Sequence, residues 1–178
     1  MKQSLLLLLG LLCLGSYQSK AELSPASTDQ ITVSVFLHEA CLISQYYTLP
    51  LRQLYEEYAS ANLSFLGLFP NASSQLDKIQ EFKTTYKIPF ALQLDQDQAK
   101  TEAFGATITP EVVVYNETQG KILYQGRIDD AYARVGQRKR ITHTSELKDV
   151  LAAISNGQAI QTQNAPAVGC FISKVNPN

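Results

Sequence analysis

Two cysteines are the residues best suited to chemistry in this chain of 178 residues. Cys41 follows the β-branched and apolar run at 32–37, which is typical of a strand buried on both faces of a sheet. Apolar side chains then recur at helical spacing, so we expect a helix to begin at Cys41. Free backbone N–H groups and the positive end of the helix dipole favour a thiolate there. The pattern predicts a nucleophilic thiol, and a small buried side chain is the alternative interpretation.

His38 is a candidate partner for this thiol because it lies three residues before Cys41. An imidazole can stabilise a thiolate as a cation, or it can take the proton from the thiol. The alternative is an exposed histidine at the end of the strand. Spacing alone leaves both interpretations open.

Residues 1–21 have the features of a signal peptide. Lys2 is followed by the apolar run Leu5 to Leu14, and Ser19-Lys20-Ala21 is a small-x-small cleavage site. We therefore expect export to the periplasm or the medium and a mature chain that begins near Glu22. The alternatives are a lipid anchor at Cys13 and an uncleaved anchor that tethers the same domain to a membrane.

The mature chain keeps two cysteines, Cys41 and Cys170, in an oxidising compartment where they can pair. Its length suits one domain, at 22–157, with a tail at 158–178 that carries Cys170. The formal net charge of the full sequence is −1, which does not indicate a nucleic-acid partner. The mature chain has no predicted membrane span.

Predicted strands and helices alternate along the chain and end in a hairpin and a last helix, which indicates an α/β fold with parallel pairing. The hairpin turn is Asn116 to Gly120. Chemistry in open α/β sheets collects beyond the carboxyl ends of the strands, where Cys41 is expected. Pro110 immediately precedes the hairpin, so a cis-proline there could face Cys41.

The motifs Val35-Phe-Leu-His-Glu-Ala-Cys41-Leu-Ile-Ser44 and Ile108-Thr-Pro110-Glu-Val-Val-Val-Tyr115, with Tyr124 to Asp130, resemble the redoxin side of the thioredoxin-like superfamily. The resemblance implies a central mixed sheet flanked by helices, with a redoxin-type insertion at Pro89 to Gly105. It also implies that Cys41 is the reactive cysteine and that Pro110 is the cis-proline packed against it. Redoxin relatives can carry an arginine near the thiolate, which makes Arg127 a candidate. An ion pair of Arg127 with Asp129 or Asp130 is the alternative.

Two departures from the family pattern affect the expected activity. Ser44 makes the motif Cys-x-x-Ser, which lacks the usual resolving cysteine. Peroxiredoxins carry Pro-x-x-x-Thr-x-x-Cys, but this chain has Ser34 and His38 at those positions, so the hydroxyl that binds peroxide is missing.

We therefore expect an exported thiol-disulfide oxidoreductase in which Cys41 attacks and Cys170, on a flexible tail anchored by Phe171 and Ile172, resolves. Its partners would be protein or small-molecule thiols and disulfides, with a separate reducing or oxidising protein. No cofactor or metal is expected. A thiol peroxidase is the alternative enzyme, and a thioredoxin-like binding module or metal chaperone is the non-catalytic alternative.

Overall fold

The computed structural model describes residues 29–174, so the predicted signal peptide at 1–21 lies outside the described residues. The helices and strands in chain order are β1 (Ile31–Phe36), α1 (Leu42–Tyr58), β2 (Leu63–Phe69), α2 (Leu76–Thr85), β3 (Ala91–Leu94), α3 (Ala99–Phe104), β4 (Ile108–Thr109), β5 (Glu111–Asn116), β6 (Lys121–Gly126), β7 (Tyr132–Arg134), β8 (Gln137–Arg138), α4 (Glu146–Ser155) and β9 (Cys170–Phe171).

The central sheet has the strand order β3-β2-β1-β5-β6. Strand β1 pairs in parallel with β2 and antiparallel with β5, so the sheet is mixed, as predicted. Hairpin β5–β6 turns at 117–120, within the predicted turn. The insertion expected at Pro89 to Gly105 contains β3 and α3.

The register of β1 decides which loops meet. Phe36 lies opposite Leu68 of parallel β2 and opposite Glu111 at the start of antiparallel β5. The segments that follow β1 and β2 and the segment that precedes β5 therefore lie at one edge of the sheet. Cys41 and Pro110 belong to these segments.

The core forms two clusters, because alternate side chains of a strand point to opposite faces. The larger cluster joins Val33 and Val35 of β1 to buried residues of α1, α2 and α4. The smaller cluster contains Phe36, Leu68, Ala106 and Val113, with Phe104 and Ile172 packed against it. The C-terminal tail thus contributes to the second face of the sheet.

Helix α1 begins directly after Cys41, as predicted. Pro50 lies within this helix, which is continuous from Leu42 to Tyr58. The tail, by contrast, does not match the predicted flexible segment, since it contains β9, which pairs with β4. Within residues 29–174, no helix is both long and apolar enough to cross a membrane.

A candidate thiol site at the start of helix α1

Cys41 is the N-cap residue of α1, with an extended backbone conformation at φ −82° and ψ 115°. Its carbonyl accepts the amide of Gln45 at 2.9 Å, which is the first hydrogen bond of the helix. Its own amide donates to the carbonyl of His38 at 3.0 Å. These two bonds fix the sulfur at the end of the helix that carries free N–H groups.

The segment before β5 forms the wall opposite the sulfur. The Thr109–Pro110 peptide bond is cis, as predicted. The Cys41 thiol donates to the carbonyl oxygen of Thr109 at 3.4 Å. Cys41 is only 2% exposed, because this wall and the tail cover it.

The tail brings Cys170 to the same place. Strand β9 runs antiparallel to β4, and Cys170 lies directly opposite Thr109 in the register. Thr109 Oγ1 donates to the carbonyl of Cys170 at 3.3 Å, and the Ile172 amide donates to the carbonyl of Thr107 at 2.9 Å. The two cysteines are free thiols, and both contact Thr109: its carbonyl accepts the Cys41 thiol, and its hydroxyl donates to the carbonyl of Cys170.

Two glycines make this close approach possible. A Cβ on Gly169 would lie 2.0 Å from the carbonyl oxygen of Thr109, and a Cβ on Gly126 would lie 2.2 Å from that of Ala165. Any side chain at either place would push the tail away from the sheet. Phe171, which was expected to anchor the tail, is 83% exposed, and Ile172 packs against the core instead.

The pKa of the Cys41 thiol is lowered from its ordinary value, although several effects oppose each other. Burial is the largest effect and raises the pKa, because it penalises the thiolate. Hydrogen bonds from the Cys170 thiol, from the amides of Ser44 and Ile43 and from the Ser44 hydroxyl together outweigh it. Cys41 is therefore the member of the pair that ionises.

The second thiol has the opposite character. Burial, the hydrogen bond to Cys41 and the negative charge of Cys41 raise the pKa of Cys170 to about 11. Cys170 thus remains a protonated donor next to the thiolate. This division suits a nucleophile and a resolving thiol.

Ser44 is a site residue that sequence reasoning missed. It was regarded only as a missing resolving cysteine, but it is fully buried and its hydroxyl stabilises the Cys41 thiolate. Its oxygen also accepts the amide of His38 at 3.3 Å. The sequence did contain a signal for this role: Ser44 is a hydroxyl residue at the third position of the helix that follows Cys41.

The structure gives His38 a different contact from the one expected. Its Nε2 atom lies 3.4 Å from the hydroxyl of Ser73, in the loop between β2 and α2. Its backbone rather than its imidazole contacts the Cys41 segment, through the amide that Ser44 binds and the carbonyl that the Cys41 amide binds. A catalytic role for the imidazole stays a prediction without a described contact to the sulfur.

Arg127 forms an ion pair, but not with either predicted partner. Its guanidinium binds Glu146 on α4, with Nε at 2.9 Å from Oε1, and Thr144 Oγ1 also donates to that carboxylate at 2.8 Å. Asp130 instead pairs with Lys139 at 2.5 Å, and Asp129 accepts the Tyr47 hydroxyl. The alternative interpretation, an ion pair of Arg127 with Asp129 or Asp130, is therefore wrong. Its position beyond the end of β6 placed it closer to α4.

Tyrosines line another side of the site. The ring of Tyr46 packs edge-on against those of Tyr47 and Tyr132, and Arg138 lies 5.2 Å above the ring of Tyr46. The pKa of Tyr132 is raised mainly by burial, and the charge of Cys41 contributes to the increase. In the described part of the chain, no three or more His, Cys, Asp or Glu side chains are grouped so that they could share a metal ion.

Neither a protein-family model nor a curated protein matches the sequence. Solved structures do resemble it. A hypothetical protein from Sinorhizobium meliloti 1021 superposes with a TM-score of 0.70 at 23% identity, over 82% of this chain and 80% of that one. An uncharacterized conserved protein from Geobacillus kaustophilus gives 0.72 at 24% identity, over 86% and 81%.

A third neighbour has a described activity. It is a secreted disulfide oxidoreductase of Mycobacterium tuberculosis, homologous to E. coli DsbE, which superposes with a TM-score of 0.51 at 17% identity, over 70% of this chain and 81% of that one. The mixed sheet with flanking helices, the cysteine at the start of α1 and the cis peptide bond before Pro110 agree with this likeness. The chain has a thioredoxin-like fold.

Proposed function

We propose that this protein is an exported thiol-disulfide oxidoreductase in which Cys41 is the nucleophile and Cys170 is the resolving thiol. One observation carries the proposal: the Cys41 sulfur lies at the start of α1 and is bonded to the carbonyl of Thr109, and strand β9 places Cys170 directly opposite that same Thr109. A structural cysteine would need neither the second thiol nor the donors that stabilise its charge.

The chemistry consists of two exchanges. The Cys41 thiolate attacks one sulfur of a substrate disulfide, forms a mixed disulfide and releases the other substrate sulfur as a thiolate. Cys170 then loses its proton and attacks the Cys41 sulfur, which releases the second substrate thiol and leaves a Cys41–Cys170 disulfide. The substrate is reduced by two electrons, and a dithiol protein or small thiol must return them. The same steps in reverse would oxidise a substrate dithiol.

The raised pKa of Cys170 depends partly on the charge it faces. Its hydrogen bond to Cys41 and the negative charge of Cys41 both favour the protonated form. Once Cys41 is held in a mixed disulfide, that charge is gone and only burial continues to disfavour the Cys170 thiolate. Cys170 therefore becomes easier to ionise at the stage when it must attack.

Export is supported by the sequence of residues 1–21, by the presence of two cysteines that can pair in the mature chain, and by the secreted neighbour of the same fold. The expected partners remain exported proteins or small molecules with thiols or disulfides, and a separate redox partner.

Two variants test the assignment. With a disulfide-bonded model substrate and a small dithiol as reductant, Cys41→Ser should abolish turnover. Cys170→Ser, incubated with the substrate in the absence of the dithiol, should instead accumulate a mixed disulfide between Cys41 and the substrate, visible on a non-reducing gel. Retention of turnover by Cys41→Ser would refute the proposal.

Peroxide consumption, measured in parallel, should be weak compared with disulfide reduction because the peroxide-binding hydroxyl is missing. Peroxide consumption faster than disulfide reduction would favour the peroxidase alternative.

A further inference from the structure

The tail is attached to the body of the protein three residues after Cys170. The amide and the hydroxyl of Ser173 both donate to Oδ1 of Asn71, at 3.0 and 3.1 Å. The carbonyl of Ser173 accepts Nε2 of Gln98 at 2.7 Å. Backbone and side chain of this residue are thus held from two separate elements of the fold.

The two residues that hold Ser173 are buried. Asn71 is only 4% exposed and follows β2 at the edge of the sheet where Cys41 lies. Gln98 also donates to the carbonyl of Pro70 at 2.9 Å, which connects the two anchoring residues to each other. A buried amide with two bonds to one tail residue is a specific attachment rather than a surface contact.

Apart from Ser173, β9 is held by its short pairing with β4, which includes the hydrogen bonds of Cys170 to Thr109 and of Ile172 to Thr107. The strand has two residues, it pairs with a strand of two residues, and Phe171 contributes little because it is exposed. Ile172 supplies an apolar contact, but it is only partly buried. The placement of the Cys170 sulfur at Cys41 therefore depends strongly on what holds Ser173.

We propose that Asn71 is a positioning residue, which holds Ser173 and thereby keeps the Cys170 thiol against Cys41. This inference rests on the proposed function, because it assigns Asn71 to the resolving step. A tail fixed at both ends of β9 gives Cys170 a high effective concentration at the Cys41 sulfur. A tail released at Ser173 would visit the site only part of the time.

The effective concentration can be measured in glutathione buffers. One oxidised glutathione takes two electrons from the two thiols, so that the Cys41–Cys170 disulfide and two reduced glutathione molecules form. The equilibrium constant has units of concentration and reports how strongly the fold holds the two thiols together. Acid trapping, alkylation and mass spectrometry give the oxidised fraction.

Asn71→Ala and Ser173→Pro remove the same two hydrogen bonds from opposite sides. Proline has neither an amide N–H nor a hydroxyl, so Ser173→Pro removes both bonds and leaves the buried Asn71 side chain in place. Both variants should lower this equilibrium constant by about tenfold or more, and Ser173→Ala, which keeps the hydrogen bond of the backbone amide, should lower it less.

Asn116→Ala is the matched control, because Asn116 is an equally buried asparagine (3% exposed) at the opposite end of the sheet, where it binds Gln119 and Asp29.

The control should leave the constant unchanged even where its unfolding temperature falls as much as that of Asn71→Ala. Constants within twofold of the wild type for both Asn71→Ala and Ser173→Pro would overturn the positioning role while leaving the resolving role of Cys170 intact. Failure of the wild type itself to form the Cys41–Cys170 disulfide would overturn the resolving role first, and with it this inference.

Discussion

At the scale of single residues, the Cys41 sulfur exchanges partners when it loses its proton. The thiol donates to the carbonyl of Thr109, whereas the thiolate accepts from Cys170, Ser44 and the first amides of α1. The Thr109 carbonyl can stabilise only the protonated thiol, whereas several donors can stabilise the thiolate. This imbalance is the reason why the pKa falls in spite of burial.

A matched pair of variants at position 170 tests this account. Cys170→Ser keeps an O–H donor, so the pKa of Cys41 should remain below that of a free cysteine, whereas Cys170→Ala removes the donor and should raise it. Because only the thiolate reacts, a lowered pKa moves the midpoint of the alkylation rate to lower pH. Alkylation by iodoacetamide from acidic to alkaline pH measures the midpoint. A Cys170→Ala profile that coincides with that of Cys170→Ser would contradict the role of the hydrogen bond.

At the scale of elements, helix α4 is fixed to the sheet by Arg127. The Glu146 carboxylate is mostly buried, and although burial raises its pKa, the hydrogen bonds from Arg127 and Thr144 lower it below its ordinary value. A depressed carboxyl pKa stabilises the fold above the unfolded value, roughly pH 4.3, and this contribution is lost as pH falls through the folded value.

Arg127→Ala should therefore destabilise the protein without altering its chemistry. The loss leaves a buried carboxylate unpaired and should cost about 1–3 kcal/mol of unfolding free energy at neutral pH, and less once Glu146 is protonated. Urea unfolding at neutral and acidic pH measures this. The Cys41 alkylation profile should coincide with that of the wild type; a clear upward shift of its midpoint would instead favour the catalytic role first considered for Arg127.

Gly169 allows the segment that leads into β9 to approach the backbone of β4 closely. Gly169→Ala would place a methyl group against the carbonyl of Thr109, so β9 should separate from β4 and the Cys41–Cys170 disulfide should form poorly. Gly136→Ala is a control for loss of stability alone, because alanine is strained at its φ of 77° but no atom lies within 4 Å of the added Cβ. Mass-spectrometric counting of free thiols after mild oxidation compares the two. Full disulfide formation in Gly169→Ala would show that β9 does not need this close contact.

At the scale of the whole molecule, two thiols far apart in sequence meet at one edge of the sheet, and the proposed redox role requires a compartment in which their disulfide can persist. The features of residues 1–21 agree with this requirement. The fold, the thiol pair and the predicted leader are together the basis of the proposed exported oxidoreductase.

The corresponding prediction concerns the mature chain. Cleavage after Ala21 should give a protein in the exported fraction that begins at Glu22 and retains Cys41 and Cys170. Intact-mass measurement and N-terminal sequencing check this. A chain that still begins at Met1 would contradict cleavage, and a lipid on Cys13 would place the protein at a membrane surface.

The sequence by itself determined the local parts of the site. A β-branched run, a lone cysteine and a helical repeat are signals that act over a few residues, and they were sufficient to place Cys41 at the start of α1. The alternation of strands and helices likewise determined the α/β class, since connections of this kind permit few topologies. The position of Pro110 before the hairpin was also local information.

Only the tertiary structure decided the partners of these residues. Thr109 lies 68 residues from Cys41, Cys170 lies 61 residues further on, and Ser173 binds Asn71 across 102 residues. The sequence predicted a pair of thiols but not the strand that joins them, and for Arg127 it offered a place near the thiolate or an ion pair with Asp129 or Asp130, not the pairing with Glu146. Such choices depend on which surfaces pack together once the sheet has formed, and the propensity of a short segment contains no information about them.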